Sequence, residues 1–170
     1  MILLINTSKE KLHFYEFVKP ICEVLVKNKI EGFVRKYDCV TKADLKKASK
    51  VIICGTSLND DDFLKNIKIF EWIKNFKKPI LGICAGMQII QLVFNYGKNN
   101  SIKKETEIGF FKENFKKDFL GINGTHEVYH LHNNYLELSS VFEKFTNSKI
   151  PQAIKHKTKL IYGVLFHPEV

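Results

Sequence analysis

Between residues 1 and 84, short apolar runs alternate with longer segments of helical periodicity. The runs are MILLIN (1–6), GFVRKYD (32–38), KVIICG (50–55) and ILGIC (80–84), all of strand length. Apolar strands that follow one another across intervening helices are the pattern of a parallel sheet covered by helices on both faces. Between the runs, Leu12, Tyr15, Val18, Cys22, Leu25 and Val26 recur at helical spacing from Lys11 to Asn28. TKADLKKAS (41–49) opens on Thr41, a candidate N-cap, and NDDDFLKNIKIFEWIKNF (59–76) begins acidic and ends before Pro79, so both predict helices. The fold class that follows is α/β, a mostly parallel open sheet flanked by helices.

After Cys84 the rhythm changes. AGMQIIQLVFNYG (85–97) predicts a helix ending near Gly97, and EIGFFKE (107–113), VYHLHNN (128–134), QAIKHKT (152–158) and LIYGVLFHP (160–168) predict strands joined by turns. These segments are expected to finish the sheet and to add a small antiparallel flap. No repeat, low-complexity stretch or Pro/Gly-rich linker divides residues 1–170, and the length suits a single domain with one substantial core.

Composition narrows the function classes. No run reaches the roughly 18 to 20 apolar residues of a membrane span, and the N-terminus reads as a first strand rather than a signal peptide. Cys22, Cys39, Cys54 and Cys84 are widely spaced, with no CxxC pair and no Cys/His cluster at zinc-ligand spacing. That argues against a disulfide framework and against a structural metal, and it predicts a reducing, cytoplasmic setting. A formal charge of +9 raises the question of nucleic acid, but the excess is nearly all Lys, scattered in pairs such as Lys46-Lys47 and Lys116-Lys117. A solvated basic face fits that spread better than a nucleic-acid surface.

One stretch carries chemistry. In KPILGICAGMQII (78–90), Cys84 stands where an apolar strand turns directly into a helix, among the small residues Gly82, Ala85 and Gly86. Small neighbours permit the tight turn of a nucleophile elbow, and the helix N-terminus that follows favours a thiolate. The backbone N–H of Ala85, in the first helical turn, is available to an oxyanion. Cys84 is expected to be partly exposed and more reactive than the other three cysteines. At the other end, YGVLFHPEV (162–170) offers His167 as a base and Glu169, two residues on, as the group that orients it. Together they would form a Cys-His-Glu triad, provided the fold brings the two strands together. A buried filler cysteine and a structural histidine are the alternatives.

GICAGMQ (82–88) and GVLFHPE (163–169) in this order resemble the Gly-x-Cys-x-Gly-x-Gln and Gly-Val-x-Phe-His-Pro-Glu motifs of class I glutamine amidotransferases. The resemblance covers nearly the whole chain and implies a flavodoxin-like fold that needs no cofactor. It implies that Cys84 attacks the side-chain amide of L-glutamine, that His167 protonates the departing ammonia, and that Glu169 orients His167. It further implies that Gln88 contacts glutamine, that Ala85 and the Gly55-Thr56 loop supply the oxyanion hole, and that Glu107, Gly109 and His132 belong to the substrate site. Within the family the terminal segment is most similar to the glutaminase component of GMP synthases, while Met87 resembles the imidazole-glycerol-phosphate synthase glutaminase.

There are departures from the family pattern. Where the family has Ser-Gly-Gly-Pro, this chain has Cys54-Gly55-Thr56-Ser57, and a positive φ at Thr56 would be strained. Leu165 replaces a common Gln. No Gly-x-x-x-x-Gly-Lys-[ST] phosphate loop is present. The leading expectation is therefore a glutaminase subunit that passes ammonia to a separate ATP-dependent synthetase. A free-standing cysteine amidase or γ-glutamyl hydrolase, and a non-catalytic binding relative, are the competing readings.

Overall fold

The computed structural model describes residues 1–95 and 102–170. Strand β1 (Ile2–Asn6) leads through helices α1 (Lys11–Phe17) and α2 (Lys19–Lys27) to β2 (Gly32–Lys36). A short 3₁₀ turn at Tyr37–Cys39 and helix α3 (Lys42–Lys47) precede β3 (Lys50–Ile53). Helix α4 (Asp62–Lys65) and a 3₁₀ segment, Ile67–Lys74, lead to β4 (Ile80–Ile83), and α5 (Ala85–Asn95) follows at once. The remainder is β: β5 (Ile102–Phe119), β6 (Ile122–Leu136), β7 (Phe142–Lys144), β8 (Ala153–His156) and β9 (Ile161–Val164).

Seven strands form one sheet in the order β2-β1-β3-β4-β9-β8-β7, parallel from β2 to β9 and antiparallel over β8 and β7. On one face, residues of α3, the 3₁₀ segment and α5, among them Phe70, Ile73, Ile89 and Ile90, pack against Leu3, Ile5, Val51 and Ile53. On the other, Val18, Ile21 and Leu25 join Leu4, Ile83 and Val164, together with Phe115, Phe119 and Phe145. Covering both faces is what the two-sided apolar strands require, as the alternation in sequence implied.

Several expected elements changed shape. The single helix expected from Lys11 to Asn28 is two, divided at Val18. Pro20 explains the break, because it lacks an N–H and its ring clashes with the carbonyl four residues back. The break rotates the apolar face, so Val18, Ile21 and Leu25 are buried while Leu12, Tyr15 and Val26 are exposed. The segment 59–76 is one turn of α-helix followed by 3₁₀. Thr41 does cap α3, in a capping box with Asp44. The end expected for α5, near Gly97, lies outside the described residues. The flap is not small: EIGFFKE and VYHLHNN are the middle of the long β5–β6 hairpin, a separate two-stranded sheet.

Candidate active site

Strand pairing answers the question of adjacency. β4 pairs in parallel with β3 on one side and β9 on the other, with Ile53 level with Gly82 and Ile83 level with Val164. The residues that leave the carboxyl ends of these three strands, Gly55, Cys84 and His167, therefore converge at one edge of the sheet. Such an edge is where open α/β sheets place their ligands.

Cys84 sits between β4 and α5 with φ of 47°, a left-handed conformation that costs a non-glycine residue about 1–2 kcal/mol. Its N–H donates to the carbonyl of Val164 at 2.8 Å, and its own carbonyl accepts from Gln88 at 3.1 Å, so strand and helix both hold the turn. The turn is possible because Gly86 has no side chain: a Cβ there would stand 2.1 Å from the carbonyl oxygen of Ile53. Contrary to the expectation of partial exposure, Cys84 is 5% exposed and its Sγ lies 3.6 Å from the carbonyl oxygen of Leu131 on β6. The long hairpin covers it.

The imidazole of His167 is also buried. Its Nδ1–H donates to Glu169 Oε1 at 2.8 Å, and its backbone N–H donates to the carbonyl of Tyr129 at 2.8 Å. The Phe17 ring lies 5.3 Å away, and Gly55 approaches so closely that a Cβ would come within 2.8 Å of His167 Cε1. The ring is thus clamped, and Nε2 has no nitrogen or oxygen partner among the described residues, leaving it to face Cys84. Burial alone would lower its pKa; interaction with Cys84 and with the Glu169 carboxylate overcomes this and raises it to about 10. A proton taken up by this imidazole is held firmly at neutral pH. Burial raises the thiol pKa of Cys54 well above the ordinary value and that of Cys22 less so, and Asp38 raises that of Cys39.

The thiol opens into a narrow cavity of about 50 Å³ lined by Cys84, Ala85, Gln88, His132, Asn133 and Asn134, with Thr56, Ser57 and Asp60 at the loop after β3. Gln88 and His132, both named by the resemblance, line this cavity. Gln88 Nε2 donates to the carbonyl of Asn134 at 3.0 Å. Glu107 and Gly109 do not line this cavity. The Glu107 carboxylate instead meets His130, His132 and Gln152, and Gly109 (φ 119°) is a bend in β5 with nothing within 4 Å of a built Cβ. The bulge between Lys104 and Glu107 accompanies this change in direction of the strand.

Neither Gly55 nor Thr56 has a positive φ, so the steric objection to Thr56 falls away. The threonine is put to use: its Oγ1 donates to Asp60 Oδ2 at 2.8 Å, and the same oxygen accepts the backbone N–H of Lys9 at 2.6 Å. Thr7 Oγ1 donates to the carbonyl of Cys54 at 3.0 Å. Side chains thus hold the loop that in the family pattern is built from glycines. Sequence reasoning missed Thr7 and Asp60, and also Tyr129 and Leu131, whose carbonyls touch the triad. Their roles arise from long-range pairing and leave no local signature.

A cysteine raised on a strand-to-helix elbow, beside a His-Glu pair just past the end of the neighbouring parallel strand, defines the class: an α/β protein with a thiol-imidazole-carboxylate group at one sheet edge. The family model for glutamine amidotransferase class-I matches residues 12–170, and the chain belongs to that family. The chain is 38% identical over 101 residues to a glutamine-hydrolyzing GMP synthase subunit of Methanocaldococcus jannaschii, a match that covers 56% of this chain and 53% of that protein. It is 41% identical over 106 residues to the subunit of the same description from Methanosphaera stadtmanae, covering 59% and 56% respectively. The matched stretch thus spans about half the length of these relatives. A solved structure from Thermoplasma acidophilum, provisionally assigned as the corresponding GMP synthase subunit, superposes with a TM-score of 0.83 at 26% identity, covering 99% of this chain and 84% of that one. A Thermotoga maritima glutamine amidotransferase shares the fold, with a TM-score of 0.76 at 20% identity over 99% of this chain and 76% of that one.

Proposed function

We propose that the chain is a glutaminase subunit that hydrolyses L-glutamine through Cys84, His167 and Glu169 and hands the ammonia to a separate ATP-dependent synthetase, in GMP synthesis. The observation that carries this is the clamped His167–Glu169 pair, 2.8 Å apart, just past the end of the strand next to the Cys84 elbow. His167 Nε2 already holds the proton shared with Cys84 as Sγ bonds to the amide carbon. The charge that develops on the amide oxygen faces the Ala85 N–H and the Gly55-Thr56 loop. Oxyanion donors of this kind are worth about 10² to 10³ in rate each. Collapse of the tetrahedral adduct breaks the C–N bond, and His167 returns the proton to the leaving nitrogen, releasing ammonia. Water, deprotonated by the same imidazole, then cleaves the thioester to give glutamate and the free thiol.

The GMP assignment rests on the identity to the GMP synthase subunits of the two archaea. The need for a partner is supported by the cavity, which at about 50 Å³ falls far below the roughly 300 Å³ at the lower end of small-molecule clefts. Glutamine enters only when β6 moves away from Cys84. Docking of a synthetase against the hairpin would supply that movement.

The test measures product formation by the synthetase complex with glutamine or with ammonia as nitrogen donor. Cys84→Ala is expected to abolish glutamine-dependent synthesis and to leave ammonia-dependent synthesis unchanged. Retention of glutamine-dependent synthesis, or loss of both activities in a complex that still assembles, would contradict the proposal.

A further inference from the structure

Behind the cavity, β5, β6 and the residue before β8 bring together a group of buried polar side chains, of which only His132 also lines the cavity. Glu107 and His132 are cross-strand partners in the hairpin, and His130 lies two residues along β6 on the same face. Glu107 Oε2 lies 2.8 Å from His130 Nδ1, 3.0 Å from His132 Nε2 and 2.8 Å from Gln152 Nε2. The Gln152 amide nitrogen in turn lies 3.4 Å from His130 Nδ1 and 3.1 Å from His132 Nε2. His130, His132 and Gln152 are each at most 2% exposed.

Five of the six separations among these atoms lie between 2.8 and 3.4 Å, and the ligand atoms of Glu107, His130 and His132 all lie within 4.8 Å of one another. Bonds of about 2.0–2.1 Å from a central zinc would set tetrahedral edges near 3.3 Å. The outer surroundings point the same way. Glu113 Oε1 lies 3.7 Å from His130 Nε2, and the backbone carbonyl of Glu105 acts on His132. Each imidazole is therefore faced by acceptors on both sides, with a single N–H if neutral, and burial opposes a second proton on either ring. His130 Nε2, His132 Nδ1, Gln152 Oε1 and Glu113 Oε2 are all buried without a hydrogen-bond partner. In the hydrogen-bonded arrangement His130 Nε2 and Gln152 Oε1 remain unsatisfied among the described residues. A cation at the centre turns the inner lone pairs to itself and frees each ring to present its N–H to the outer acceptor, the usual arrangement around metal-ligating histidines.

We propose that Glu107, His130 and His132 bind a divalent transition metal of the zinc type, with Gln152 Oε1 as fourth ligand after its amide rotates by half a turn. Two imidazoles with oxygen ligands suit zinc among the common cations. The ion would tie the hairpin to the main sheet and fix Leu131, the residue between the two histidines, whose carbonyl touches Cys84. Its role would be to set how firmly β6 lies over the nucleophile. The expectation of no structural metal rested on the lack of Cys/His clusters in sequence. His-x-His at strand spacing was the signal it passed over.

The test uses Zn²⁺ alone, added to chelator-stripped protein in a Cys39→Ser/Cys84→Ala background so that neither thiol competes. Calorimetry is expected to show one site per chain, and thermal unfolding to shift upward with zinc. Folding of each variant is checked by circular dichroism. His132→Gln is expected to abolish the site, and Glu113→Gln, which leaves every ligand in place, to weaken it by about 10- to 100-fold. Co²⁺ in place of Zn²⁺ should give the intense visible bands of tetrahedral coordination. Absence of stoichiometric binding, undiminished binding by folded His132→Gln, or a six-coordinate cobalt spectrum would overturn the proposal.

Discussion

His167 owes its properties to its neighbours. Glu169 fixes one ring nitrogen, Gly55 and Phe17 fix the ring plane, and the other nitrogen is left for Cys84. With its pKa raised to about 10, protonated His167 contributes stability that is fully present below its ordinary value near 6.5 and is lost as pH rises through about 10. An NMR titration of the ring proton should therefore show His167 losing its proton near pH 10 in the wild type and at lower pH in Glu169→Gln, which removes one source of the shift. Titration near 6.5 in the wild type would contradict the geometry. Thr56 can be tested at the same scale. Thr56→Val removes the hydrogen bond to Asp60 while keeping the shape, and it should lower kcat about tenfold or more with little change in KM, because the loop then loses its hold on the oxyanion N–H groups. Thr56→Ser should recover most of the loss. Equal kcat in wild type and Thr56→Val would show that the loop needs no such anchor.

Among the elements, the β5–β6 hairpin departs furthest from expectation. The sequence showed that EIGFFKE and VYHLHNN were strands, but their pairing depends on a two-residue turn at Leu120-Gly121, between the partners Phe119 and Ile122. Both turn residues have positive φ, 55° and 89°, the signature of a type I′ turn. Leucine is a poor residue for the first position, so the usual Asn-Gly signal was absent and the hairpin's length could not be read. Leu120→Asn should relieve the strain and raise stability by about 1 kcal/mol, measured by urea denaturation. No change, or a loss, would mean that the Leu120 side chain contributes more than its backbone costs. The Pro20 break between α1 and α2 was, by contrast, written in the sequence, and only the strength of the apolar periodicity hid it. The parallel core strands were legible because two-sided burial leaves little room for polar residues.

Across the whole molecule, the convergence of Cys84, His167 and Glu169 at one sheet edge was legible because strand-to-helix turns and the His-Pro-Glu segment are local patterns. Gln88 and His132 reach the cavity, whereas Glu107 turns away toward the histidine cluster after the β5 bulge. Thr7, Asp60, Tyr129 and Leu131 were not legible, since each acts through a contact made across the fold. The reason for expecting dependence on a partner changes as well. Thr56 is unstrained and anchored, and on the proposed reading it is the hairpin lying over the thiol that calls for a partner.

The proposed function makes Cys84 the nucleophile for a glutamine side chain, accessible when the hairpin yields. A glutamine-mimicking diazoketone alkylates such a thiol with loss of nitrogen, so intact mass followed by peptide mapping tests this directly. A single adduct on Cys84 is expected, slow in the isolated chain and faster with the synthetase, with Cys22, Cys39 and Cys54 unmodified and no adduct in His167→Ala. No adduct in the complex, an adduct on another cysteine, or equal labelling when His167 is removed would contradict it.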